Sequence, residues 1–190
     1  GAQGLLSCNL QLDDIRVESK TLHNGYSLLA TKHGLLVGTI SGLTLIRHGK
    51  PNLPIRIGDG EQPLVNALLS DGSAAWIGTE GALYRYDGQQ LKAIPALAGN
   101  SIKSLPTYGD LIYAGTDNGL YTYNKLSGAT LHALHDSRSP RTIANNIVWT
   151  VYTDRWGNLW AGTDQGVSDI RRQRFIIYIR RSYIRPPGDG

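Results

Sequence analysis

Leu36-Val37-Gly38-Thr39, Trp76-Ile77-Gly78-Thr79, Tyr113-Ala114-Gly115-Thr116 and Trp160-Ala161-Gly162-Thr163 are four versions of one phrase: a bulky residue, an apolar residue, then Gly-Thr. Their glycines follow one another at intervals of 40, 37 and 47 residues. Soon after each phrase comes a small residue and an apolar run: Gly42-Leu43, Gly81-Ala82-Leu83, Gly119-Leu120-Tyr121 and Gly166-Val167. Three copies are preceded by a turn bearing Gly with Asp or Asn: Ser70-Asp71-Gly72-Ser73, Tyr108-Gly109-Asp110 and Asp154-Arg155-Trp156-Gly157-Asn158. The first copy has Lys32-His33-Gly34 there. A period near 40 with several short strands per copy predicts an all-β chain, a β-propeller of about four four-stranded blades.

The fourth copy shows the blade most clearly. Ile147 to Thr153 alternates and is rich in β-branched and aromatic residues, so it reads as a first strand. Asp154 to Asn158 makes a tight turn, Leu159 to Gly162 the second strand, Val167 to Ile170 the third, and Arg174 to Arg180 a fourth with Phe175, Ile177 and Ile179 alternating. Tyr26 to Ala30, Val65 to Leu69 and Ile102 to Leu105 take the first-strand position in the other copies. The bulky Leu36, Trp76, Tyr113 and Trp160 are expected between stacked blades, each phrase glycine admitting the neighbouring backbone and each Thr bonding the adjacent turn. The expected organisation is N-terminal strands of a partial or closing blade at 1–23, blades at about 24–64, 65–101, 102–146 and 147–180, and a tail at 181–190. Leu10-Gln11-Leu12 and Ile15-Arg16-Val17 read as the N-terminal strands, and no helix of useful length is expected. Four blades are few, so a partial or small propeller is expected, its open edges covered by more chain or by a homodimer partner.

Glycine is 23 of 190 residues, about 12 per cent against a usual ~7 per cent, in keeping with many tight turns. The net charge of +4 comes from the end of the chain, where residues 171–190 hold six Arg and one Asp. The remainder has 13 basic and 14 acidic residues, which disfavours a nucleic-acid partner. Cys8 is the single cysteine and can form no internal disulfide. The sequence holds no methionine, so a processed or excised piece of a longer protein is expected.

Asn146 to Asp154, followed by Gly157-Asn158-Leu159-Trp160-Ala161-Gly162-Thr163-Asp164-Gln165-Gly166-Val167, closely resembles the two-component regulator propeller repeat. Asp117 to Tyr123 and Glu80 to Asp87 resemble its second half, and the first copy matches more weakly. The resemblance spans about residues 24–180. It implies an extracytoplasmic, periplasmic sensor region of a bacterial hybrid two-component regulator, detecting carbohydrate-like ligands. It also implies a membrane helix and a histidine kinase in other parts of the parent chain.

There is no nucleophile elbow, phosphate loop or zinc-type cysteine pattern. His132 and His135 are three apart and would point to opposite faces of a strand, so they suit no shared metal. Asp154 to Asn158 lacks the oxygen ligands of a calcium loop. In a propeller, first strands line the channel, and here they offer Ser27, Leu29, Asn66, Leu68, Lys103, Trp149 and Val151, with no carboxylate or histidine. Catalytic residues, metals and cofactors are therefore not expected, and a propeller lyase or glycan hydrolase is disfavoured. Loops joining second to third strands share a rim with loops joining successive blades. That rim carries Glu80, Asp117, Asn118, Asn145, Asn146, Trp149, Asp164 and Gln165, the candidate ligand-binding residues. Carboxylates and amides can grip sugar hydroxyls while an aromatic face packs on the ring, so an oligosaccharide partner is expected. Asp and Asn after Gly-Thr are equally good turn formers. A cell-envelope scaffold or protein-interaction propeller is the alternative function.

Overall fold

Short alternating segments punctuated by Gly-containing turns form antiparallel sheets throughout the computed structural model, which describes residues 4–11, 13–172 and 177–182. β1 (Leu5–Ser7) and β2 (Arg16–Ser19) pair with each other as a separate two-stranded sheet. The strand expected at Leu10 is absent: Leu10 and Gln11 lie in a turn, and position 12 is outside the described residues. The first blade is β3 (Gly25–Thr31), β4 (Gly34–Thr39), β5 (Gly42–Ile46) and β6 (Leu53–Ile55), hydrogen-bonded in that order. The second is β7 (Val65–Ser70), β8 (Ala75–Thr79), β9 (Leu83–Tyr86) and β10 (Leu91–Ala93), again in sequence order. The third has its first strand in two pieces, β11 (Ile102–Ser104) and β12 (Thr107–Tyr108), both paired with β13 (Leu111–Thr116), then β14 (Gly119–Asn124) and β15 (Thr130–Ala133). Pro106 explains the break, since it has no N–H to give to the ladder. Its carbonyl still accepts from Tyr113 N at 2.9 Å. The fourth blade is β16 (Val148–Thr153), β17 (Leu159–Thr163), β18 (Gly166–Arg172) and β19 (Ile177–Ser182). Of the strand expected over 174–180, the described part is Ile177 onward, within a strand that runs to Ser182; 173–176 and 183–190 lie outside the described residues.

One 3-10 turn, Pro95–Leu97, is the only helical segment among the described residues, and no helix there is long and apolar enough to cross a membrane. Backbone contacts group the chain into two units, Gly1–Ile77 with Arg85–Leu91, and Gly78–Tyr84 with Lys92–Gly190. All of this makes the fold a β-propeller type.

The repeated phrase closes a turn in all four copies and admits a neighbouring strand in the first three. Its Thr hydroxyl donates to a carbonyl three residues on: Thr39 to Gly42 (3.2 Å), Thr79 to Ala82 (3.0 Å), Thr116 to Gly119 (2.8 Å) and Thr163 to Gly166 (2.8 Å). Each bond closes the turn between second and third strands. Its Gly leaves room for the next copy's first strand. In the first unit, a Cβ on Gly38 would lie 2.9 Å from the Val65 carbonyl oxygen. In the second, a Cβ on Gly78 would lie 2.6 Å from Ile102 Cγ2, and one on Gly115 would be 3.0 Å from the Val148 carbonyl oxygen. First-strand serines stitch the contact: Ser27 Oγ donates to Val65 O at 3.4 Å, and Ser104 Oγ donates to Val151 O and accepts from Val151 N.

The second unit's core therefore lies between two sheets, with Tyr113, Leu120, Ile143, Val148, Val151, Leu159 and Ala161 buried together. Val151, read from sequence as a channel residue, is part of this core. Leu36, Trp76 and Tyr113 are buried as expected, but Trp160 is 38% exposed. Trp160 and Gly162 share a strand face, and a Cβ on Gly162 would meet only Thr150 of its own sheet. Among the described residues no further sheet follows the fourth to cover that face.

Candidate functional site

All eight rim residues belong to the second unit, where they divide into turn formers and one exposed cluster. Asp117 Oδ1 accepts from Ser101 N at 3.0 Å. The Asn118 amide donates to Asn100 Oδ1, and the Asn118 carbonyl meets His132 Nε2 at 2.6 Å. Asn145 Oδ1 accepts from Ile147 N at 2.7 Å, and Asn146 Oδ1 from His135 N at 2.7 Å. The Asn146 carbonyl accepts from Gly119 N, tying the segment before β16 to the turn after β13. These four side chains hold loops in place. Glu80 and Gln165 are exposed in the turns after β8 and β17.

Trp149 and Asp164 are brought together. Trp149 Nε1 donates to Asp164 Oδ1 at 2.5 Å, while Trp149 remains 55% exposed. Lys103 Nζ stands 4.5 Å from the centre of the Trp149 ring, within cation–π range. The backbone explains why these two side chains leave the sheet. The β16–β17 register slips between Val148 and Thr150, and the β11–β13 register slips between Ile102 and Ser104. Each slip is a β-bulge, which places an extra residue against one partner and re-aims its side chain. The extra residues are Trp149 and Lys103. In the first blade the same slip falls at Tyr26, also exposed. Sequence reasoning placed Lys103 on an inner strand but missed its partnership with Trp149. The signal available was positional: Tyr26, Lys103 and Trp149 occupy equivalent sites in three first strands.

The arrangement presents an indole whose edge is anchored by a carboxylate and whose ring carries an ammonium. Such a platform can stack on the C–H face of a cyclic ligand, with Asp164 and Lys103 within reach of its hydroxyls. The histidines nearby are engaged otherwise: the His132 ring stacks on Tyr121 at 3.9 Å, and His135 Nδ1 meets the Ile143 carbonyl at 2.8 Å. No cluster of three metal-ligating side chains occurs among the described residues.

The architecture is of the propeller type, made of repeated antiparallel blades. Residues 142–165, which contain this Trp149–Asp164 pair, match the two-component regulator propeller family. Over 90% of its length the chain is similar to the extracellular domain of a hybrid two-component system from B. thetaiotaomicron, at 34% identity and a TM-score of 0.79. A second hybrid two-component system of B. thetaiotaomicron has an extracellular domain with the same fold, at 16% identity and a TM-score of 0.62 over 88% of the chain. An ancestral GH74 enzyme, at 14% identity and a TM-score of 0.58, likewise shares only the fold. The chain spans about a quarter of the two extracellular domains, 25% and 24% of them respectively, and 22% of the enzyme. No curated protein matches it.

Proposed function

We propose that the chain is an extracytoplasmic propeller segment of a bacterial hybrid two-component receptor, a sensor rather than an enzyme, and that its Trp149 rim binds carbohydrate. The regulator repeat at 142–165 and the 34% identical extracellular domain support the receptor context and its periplasmic place. One observation carries the ligand class: a bulge turns Trp149 out of the sheet, where Asp164 and Lys103 flank it. More than half of the Trp149 ring stays open to solvent, which leaves apolar surface for a ligand. Ligand binding at this rim then supplies the differential contact that biases the receptor between states.

Calorimetry of the purified chain against a panel of oligosaccharides tests this reading. At least one oligosaccharide is expected to bind, and Trp149→Ala to weaken it tenfold or more, a loss of about 1.4 kcal/mol. The melting temperature of that variant should stay close to wild type. A panel without a binder, or a Trp149→Ala variant that binds as well as wild type, overturns the assignment.

A further inference from the structure

The turn Lys32-His33-Gly34 departs from the Gly-Asp pattern of the other copies, and it borders a cleft in the first unit of about 100 Å³. In the third copy the corresponding turn is filled: the Tyr108 ring packs so closely on Gly157 that a Cβ there would lie 2.8 Å from it. With Lys32 and His33 in that place, the space between the β3–β4, β7–β8 and β9–β10 turns stays open.

Its floor is apolar, made of the buried Leu36, Leu45, Ala74 and Ala75. Its edge carries charges of both signs. Lys32 and His33 are exposed on one turn, and neither side chain has an ion pair or ring hydrogen bond among the described residues. Tyr86 and Asp87 come from another turn. Backbone N–H groups of Gln89 and Gln90 hold Asp87 Oδ1 at 2.9 and 2.8 Å, which fixes the carboxylate in position. Tyr86 donates its hydroxyl proton to the Gly88 carbonyl at 3.0 Å, so its oxygen faces any ligand as an acceptor. Burial, and then the Asp87 charge, pushes the Tyr86 pKa up and keeps that proton in place. The His33 ring lies over Gly88, where a Cβ would come within 2.8 Å of Nε2, and Gly88 has φ of 100°. The wall is therefore built on a position that only glycine suits.

We propose that this cleft binds a free, small aliphatic α-amino acid. The α-carboxylate meets Lys32 and His33, the α-ammonium meets Asp87 and the Tyr86 oxygen, and the side chain rests on the Leu36–Leu45 floor. A simple anion would face Asp87 and a simple cation Lys32, so the zwitterion is the species that satisfies both ends. Cavities of ~150 Å³ admit benzene, and this smaller one suits a branched chain of three or four carbons. The inference stands apart from the carbohydrate reading, since it uses none of the Trp149 rim.

Calorimetry and saturation-transfer NMR on the whole chain, with valine as the probe, provide the test. Valine should bind, with valinamide and N-acetylvaline at least tenfold weaker because each lacks one charge. Lys32→Gln, an exposed turn substitution whose folding circular dichroism verifies, should weaken valine at least tenfold while leaving oligosaccharide binding unchanged. Asp87→Asn should abolish the advantage of valine over N-acetylvaline. Failure of valine to bind at 10 mM, equal binding of the two blocked analogues, or an unaltered valine affinity in Lys32→Gln each overturns the proposal.

Discussion

Gly115→Ala is the sharpest test of how successive blades are held together. Gly115 lies in β13 at ordinary negative φ, so alanine is conformationally acceptable and only space is at issue. The added methyl would stand 2.9 Å from Val151 Cγ2, 3.0 Å from Val148 Cγ1 and 3.0 Å from the Val148 carbonyl oxygen. Both valines are buried in the inter-sheet core, and the carbonyl belongs to the β16 backbone, so none of the three can swing aside cheaply. Overpacking of this kind costs ~1–3 kcal/mol. Replacing glycine in the unfolded chain offsets ~0.4–1 kcal/mol of that. The expected net loss is about 1–2 kcal/mol, or a melting temperature lower by roughly 3–6 °C for a chain of this size. Urea unfolding followed by tryptophan fluorescence, with thermal circular dichroism, measures it. Gly81→Ala is the internal control, because a Cβ there meets nothing within 4 Å, and it should be neutral or slightly stabilising. A Gly115→Ala protein as stable as the control would refute the view that this glycine exists to admit the next blade.

Thr116→Val should destabilise by about 2 kcal/mol in urea unfolding, since it removes the bond to the Gly119 carbonyl and the acceptor for Asn118 N, whereas Thr116→Ser should recover most of the loss. Asp71→Ala should also destabilise by about 2 kcal/mol, because Asp71 accepts from Ser73 and Ala74 and, at 2.9 Å, from the buried Trp76 Nε1. Burial alone would push the Asp71 carboxyl up, but hydrogen bonds from Trp76, Ala74 and Ser73 outweigh it and hold the group well below the usual carboxylate range. Its contribution is then complete above the unfolded value of ~3.9 and is lost as pH falls through the lower native value. The stability gap between wild type and Asp71→Ala should accordingly hold from pH 7 to about 4 and narrow below; a gap independent of pH down to 2 would contradict the assigned bonds.

The repeat, its strands and the Thr-closed turns were legible in the sequence because they rest on neighbours a few residues apart. A Thr hydroxyl reaches a carbonyl three positions on whatever the rest of the chain does. Alternation likewise told which residues of Leu159 to Gly162 share a face. Of the eight rim candidates, residue type alone could not separate Asn145 and Asn146, which hold loops, from Trp149, which leaves the sheet. The partners that distinguish them lie up to 15 residues away for the Trp149–Asp164 bond and in a different blade for Lys103. Three further features belong to tertiary structure. Bulges that project Lys103 and Trp149 are set by cross-strand register. Exposure of Trp160 depends on whether another sheet lies against its face. The cleft beside Lys32-His33-Gly34 opens because three turns from two blades fail to fill one space. Local hydrogen bonding wrote the repeat into the sequence; packing between repeats, which no single repeat encodes, decided which of its side chains stay exposed.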